Sequence, residues 1–110
     1  MNEILLVITN MPDAPSAAKL ARHLIDERAA ACVNQLAPCA STYRWKDKIE
    51  TASEVPLLIK TTKAAYPRLE KMIIEAHPYE LPEIIAVPLT AGLPAYLDWV
   101  GKETEINETN

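Results

Sequence analysis

From Ala30 to about Lys46 the chain reads as one unusually long extended stretch. About sixteen extended residues reach roughly 50 Å. A compact domain of ~100 residues has a radius of gyration near ~13 Å, so a solid body is only ~34 Å across. The strand must therefore overhang the body or bend sharply. Pro38, near its middle, cannot donate to a ladder and points to an edge position or a bulge. Lys46-Asp47-Lys48 is the expected hairpin tip, and Ile49 to Thr61 the returning strand, with Pro56 inside it. A hairpin carrying Tyr43, Trp45 and Ile49 beyond the body exposes apolar surface and open edges. Another subunit is the simplest cover; a strand bent within a monomer is the alternative.

The remaining elements fall around this hairpin. Ile4-Leu5-Leu6-Val7-Ile8 is a continuous apolar run, expected for a central strand over Glu3 to Asn10. Ala17, Leu20, Ala21, Leu24 and Ile25 follow at helical spacing, with Asp13 or Ser16 as N-cap. Tyr66, Leu69, Met72, Ile73 and Ala76 form a second helical stripe. Ile84 to Pro88 is a fourth strand, and Leu93 to about Lys102 a short C-terminal helix. The order βαββαβ is that of the split βαβ arrangement. Right-handed crossovers place both long helices on one face of a four-stranded sheet. The expected class is α+β: a ferredoxin-like βαββαβ sandwich with a long strand 2–3 hairpin and a short C-terminal helix. It is read as one domain over residues 1–102, followed by a polar acidic tail over 103–110.

Composition excludes several partners. The net charge is −4 and the eleven Lys and Arg are dispersed, so no phosphate-binding stripe exists and nucleic acid is not expected. No apolar run approaches the ~20 residues of a membrane span. The N-terminus lacks a basic start and a small-residue cleavage site, so a cytoplasmic location is the expectation. Cys32 and Cys39 lie on the same extended stretch, roughly 23 Å apart, too far for a disulfide. Nine prolines against two glycines say that turns are stiffened rather than freed.

The stiffest segment is Ala76-His77-Pro78-Tyr79-Glu80-Leu81-Pro82-Glu83-Ile84. Pro78 drives His77 out of the helical region, and Pro82 fixes a second φ. The segment offers an imidazole, a phenol and two carboxylates in limited space. It is either a connector that satisfies its own backbone or a preorganised site at a subunit interface. Glu83 can accept from backbone N–H groups or from a cation such as Lys60, so its loss is expected to leave a buried donor unsatisfied and to cost more stability than the loss of His77.

Read together, HPYELPEI, Tyr43-Arg44-Trp45-Lys46, Leu58-Ile59-Lys60-Thr61-Thr62, Ala29-Ala30-Ala31-Cys32-Val33-Asn34 and Tyr96-Leu97-Asp98-Trp99 resemble the CutA family, the divalent-cation-tolerance proteins. The motifs run in the family's order and cover residues 3 to about 101. The resemblance implies the same ferredoxin-like fold, a homotrimer, and a non-enzymatic role in metal tolerance. No cofactor is required; Cu²⁺ or another divalent cation is the ligand to test. His77 and Cys32 are the metal-competent candidates, since imidazole and thiolate suit transition metals. Some family members place a copper-binding Cys after strand one and a second His before the His-Pro pair. Here those positions hold Thr9 and Ala76.

The family also resembles the PII signal proteins in fold class and trimeric assembly. That likeness implies a second possibility, a small anionic ligand in clefts between subunits. Lys60, Arg44 and the backbone around Thr61 would serve the anion, and Trp45 and Tyr79 would stack; Tyr43, Trp45 and Glu83 complete the candidate cleft. Tyr43 and Trp45 as simple interface glue is the alternative. Catalysis finds no support in the motifs: neither glycine opens a phosphate-cradling loop, and no nucleophile elbow is present.

Overall fold

The computed structural model describes residues 3–106. Its elements in chain order are β1 (Ile4–Met11), α1 (Ala14–Asp26), β2 (Cys32–Gln35), β3 (Cys39–Trp45), β4 (Lys48–Thr62), α2 (Tyr66–Ala76), β5 (Ile84–Pro88) and α3 (Pro94–Glu103). The sheet runs β2-β4-β1-β5, with β3 pairing β4 beyond this path. All pairs are antiparallel. This is the expected α+β, ferredoxin-like order.

The one long strand expected from Ala30 to Lys46 is two strands, β2 and β3. The register explains the break. Gln35 pairs with Leu57 and Cys39 with Glu54, so four steps on one side face three on the other. One extra residue is accommodated around Leu36–Pro38, as a proline without an N–H requires. Leu36 N–H still reaches Pro56 O at 3.0 Å, so the two halves stay one arm. The molecule measures 49 × 32 × 23 Å, and the far half of the hairpin accounts for its length. Cys32 and Cys39 pair with Lys60 and Glu54, six residues apart on β4, or roughly 20 Å. Both thiols are free.

Lys46 and Asp47 turn the hairpin with φ of 50° and 66°, a left-handed pair built without glycine. The α1 start is the expected one: Asp13 Oδ1 accepts from Ser16 N–H at 2.8 Å. That bond holds the Asp13 carboxyl below its usual range. The helix closes with Arg28 at φ 55° while Ala29 N–H reaches back to Leu24 O. The α2 helix ends at Ala76, and His77 is extended at φ −82°, ψ 132°, as the following proline demands.

Both long helices cover one face of the sheet. Val7, Met11, Leu57, Ile59, Leu20, Leu24, Leu69 and Ile73 form this core. Thr61 belongs to it too: its hydroxyl donates to Ala29 O at 2.7 Å. A smaller cluster of Ile4, Ala31 and Val100, with Leu89 and Leu97, seats α3. The polar tail expected from residue 103 begins later than that. Glu103 is the last residue of α3, and Thr104 is buried with its hydroxyl donating to Val100 O at 3.0 Å. Residues 107–110 of the expected tail lie outside the described residues.

Candidate functional site

The opposite face of the sheet carries no helix of α1 or α2. Strand alternation puts Leu6, Ile8 and Asn10 on it from β1, and Leu58 and Lys60 from β4. Ile85 and Val87 of β5 pair with Ile8 and Leu6 and are 51% and 45% exposed. This open face leads directly into a cleft of about 620 Å³ between the hairpin arm and the segment after α2. Asn10, Tyr43, Trp45, Glu54, Tyr79 and Glu83 line it, together with Ser41, Thr42, Ala52, Glu80 and Leu81.

Four of the residues singled out in the sequence therefore meet in one place: Tyr43, Trp45, Tyr79 and Glu83. Lys60 and Thr61 do not join them. Thr61 points into the core, and Lys60 Nζ donates to Asn34 Oδ1 on β2. Of the two kinds of partner open to Glu83, a backbone N–H or a cation such as Lys60, neither is taken among the described residues: its Oε1 accepts from Asn10 Nδ2 at 3.2 Å. The physical reason is the register. Lys60 pairs across from Leu6, four positions along β1 from Asn10.

His77 is the pivot of the stiff segment. It is 8% exposed, and its Nε2 lies 2.6 Å from Asn10 O. Tyr79 N–H donates to its Nδ1 at 3.2 Å. One nitrogen must donate and the other accept, so this pattern sets a neutral imidazole with its proton on Nε2. Its ring packs 4.5 Å from that of Tyr79. Cys32 lies at the other end of the open face, with Sγ 3.8 Å from Asn34 Oδ1. Burial, and then the neighbouring Cys32, push the Tyr96 phenol above its usual value there.

The donors within one chain do not fit a tight transition-metal site. Both His77 nitrogens are engaged with backbone, Cys32 is remote, and among the described residues no group of three His, Cys, Asp or Glu converges. His77 and Cys32, paired as metal candidates from sequence, do not share a site in one chain. Thr9 is buried on the core face, where its hydroxyl has no partner.

The sequence reading missed Glu54. It is 8% exposed and lines the cleft beside Tyr79. Burial first, and then the Glu54 charge, raise the Tyr79 phenol above its ordinary value. The signal was available: a glutamate directly before the apolar β4 alternation Val55, Leu57, Ile59 stands at the edge of a buried strand. At the mouth, Lys46 Nζ sits 5.7 Å from the Trp45 ring centroid and 3.8 Å from Glu80 Oε2.

The model of the CutA1 divalent ion tolerance protein family matches residues 5–103. The chain belongs to this family. It is 39% identical over 104 residues to the divalent-cation tolerance protein CutA of Thermus thermophilus, covering 94% of this chain and 99% of that protein. It is 44% identical over 94 residues to mouse protein CutA, covering 86% of this chain and 53% of that longer protein. Among solved structures, CutA from Xylella fastidiosa superposes with a TM-score of 0.90 at 46% identity, covering 93% of this chain and 98% of that one. CutA1 from Oryza sativa gives 0.92 at 32% identity, covering 96% and 97%. The resemblance carried by the short motifs is thus a family relationship along nearly the whole chain. Among the described residues no helix is long and apolar enough to cross a membrane.

Proposed function

We propose that this chain acts as a non-enzymatic homotrimer in divalent-cation tolerance, holding metal weakly and only with help from neighbouring subunits. The observation that carries the reading is the charge of the cleft. Glu54, Glu80 and Glu83 line it, and among the described residues no Lys or Arg does, Lys46 meeting Glu80 only at the mouth. Such a lining attracts cations and repels anions. It disfavours the anionic-metabolite reading: of its two proposed cations, Lys60 is committed to Asn34 on another part of the face, and Arg44 alternates to the side of β3 opposite Tyr43 and Trp45.

Weak binding follows from His77. A metal taking either ring nitrogen displaces a backbone partner that the protein must then leave unsatisfied. Cu²⁺ remains the metal to test first, since it forms the strongest complexes of the divalent first-row ions with such donors.

The assembly rests on the open face. Ile85 and Val87 are half exposed beside Leu6 and Ile8, and the arm extends Tyr43 and Ile49 into solvent. A sheet apolar on both faces needs cover on both. A closed three-fold ring supplies it without leaving an open edge. We place the protein in the cytoplasm, the location expected from its sequence. Family relatives bear names from other compartments, such as the chloroplastic CutA of Arabidopsis thaliana.

Light scattering at micromolar concentration should give the mass of three chains. Calorimetric titration should show saturable but weak uptake of Cu²⁺ and Zn²⁺, reduced in Glu83→Gln, and no uptake of ATP as the anion probe. A monomer by mass, or ATP binding without any metal response, would overturn the reading.

A further inference from the structure

We propose that the cleft binds a small organic ammonium ion, with Glu54 as its buried counter-ion and the rings of Tyr43, Trp45 and Tyr79 as its walls. The proposal shares the cleft's negative charge with the reading above, but it does not require that a metal ever bind there.

Glu54 is the first observation. It is only 8% exposed, yet among the described residues no cation pairs with it. Its side chain is largely covered while its carboxylate borders the cleft, where a counter-charge has room to reach it. A carboxylate offers about four acceptor sites, and the Tyr79 hydroxyl beside it can fill only one of them. The group is built to receive a positive donor.

The second observation is the kind of cation that fits. A bare metal ion needs several converging hard or soft donors, and no such group of three is present among the described residues. An ammonium ion needs one carboxylate and aromatic faces, which attract it through their quadrupoles. Three aromatic side chains line this cleft alongside the carboxylates. Its volume of about 620 Å³ also suits an organic body rather than a single ion, falling in the ~300–1,000 Å³ range of small-molecule sites.

The third observation comes from the chain itself. Lys46 already places its ammonium over Trp45, 5.7 Å from the ring centroid, and 3.8 Å from Glu80. The rim of the cleft thus shows the recognition mode with an internal cation. Deeper in, Glu54 and Tyr79 offer the same pairing of carboxylate and ring with no internal cation to fill it.

The test uses the full chain in its assembled state and three four-carbon probes: 1,4-diaminobutane, 1,4-butanediol and succinate. They share a skeleton and differ in charge. Calorimetry, with Trp45 fluorescence in a Trp99→Phe background, reads binding. Saturable binding is expected for the diamine alone. Glu54→Gln should weaken it by about tenfold or more, and exposed Glu83→Gln by a smaller factor. Should Glu54→Gln not fold, Glu83→Gln and Trp45→Leu must each weaken diamine binding. Unchanged affinity in the variants, equal binding of the diol, or no saturable diamine binding overturns the proposal. The last result is also what a neighbouring subunit's side chain filling the cleft would produce. Diamine binding in a protein that takes up no Cu²⁺ or Zn²⁺ would uphold this proposal while removing the metal-binding part of the functional reading.

Discussion

The sheet's two faces share the strands β1, β4 and β5 but differ in what their alternating side chains do. On the helix side, Val7, Leu57, Ile59, Leu69 and Ile73 are fully buried, and the Thr61 hydroxyl is satisfied by Ala29 O. On the open side, Leu58, Ile85 and Val87 are apolar but incompletely covered, and Asn10, Lys60 and Glu54 are interspersed among them. One face closes the fold within a chain. The other leaves apolar side chains half covered and adjoins the cleft lined by Tyr43, Trp45, Tyr79 and three glutamates. The lesson is that a strand's outward residues deserve as much reading as its inward ones when the two long helices cover only one face.

Neighbouring leucines give the sharpest test of this division. Leu57→Ala empties a fully buried core position and should cost about 2–5 kcal/mol in denaturant unfolding. Leu58→Ala, one residue on but facing the open side, should leave chain stability nearly intact and lower the concentration stability of the proposed trimer instead. Dilution series by light scattering separate the two effects. Equal loss of chain stability at both positions would mean that the faces do not differ as described.

The next comparison lies across the cleft. The stiff segment alone suggested that Glu83 would matter more for stability than His77, with a buried donor depending on it. The structure reverses that order. Glu83 is exposed and accepts from the Asn10 side chain, while His77 is buried and joins Asn10 O to Tyr79 N–H. His77→Ala should cost about 1–3 kcal/mol by orphaning those groups. Glu83→Ala should stay within the range of a surface substitution, about 0.5 kcal/mol. Thermal unfolding of both variants decides it; a larger loss for Glu83→Ala would restore the first ranking.

Why the sequence led one way and the structure another is visible in these residues. Helix stripes, the apolar β1 run, the Asp13 cap and the Pro38 irregularity are local signals, and each survived. The family motifs likewise marked Tyr43, Trp45, Tyr79 and Glu83, which do converge. What escaped was long-range register. Lys60 and Glu83 are both polar and near strand ends, and only the β1–β4 pairing reveals that they sit at different levels of the sheet. Glu54 escaped because a lone glutamate in a strand usually faces water. His77 was readable as a ligand because nothing local showed that both its nitrogens would find backbone.

A smaller effect belongs to the hairpin tip, at the far end of the open side. Lys46 and Asp47 both hold positive φ, a conformation that L-residues other than Asn and Asp seldom adopt. Lys46 has a reason to stay, since its ammonium lies over Trp45 and near Glu80. Asp47 has no such contact among the described residues. Asp47→Gly should therefore raise stability by up to about 1 kcal/mol, read as a shift in denaturant midpoint at unchanged slope. Lys46→Gly should gain less stability, because it also removes the cation from the rim. A larger gain at Lys46 than at Asp47 would show that strain relief at Lys46 outweighs the rim contact.

The smallest effect compares one tyrosine from each face. Tyr66, against the helix-covered core, has its phenol pushed up to about 12, by burial first and then by Glu70, whose Oε2 accepts its proton at 2.7 Å. Tyr79, in the cleft, is raised by burial first and then by Glu54. A phenol whose folded value is raised favours the folded state while it keeps its proton. Its contribution is therefore whole below the unfolded value near ~10 and is lost as pH climbs through the folded value. For Tyr66 that window runs from about 10 to about 12. Tyr66→Phe should flatten the decline in stability across this window and delete the latest phenolate step in ultraviolet titration. Tyr79→Phe should delete an earlier step, and an added diamine should shift that step alone, since it neutralises Glu54 and leaves Glu70 untouched. A diamine-dependent shift at Tyr66 instead would place the cation on the wrong side of the sheet.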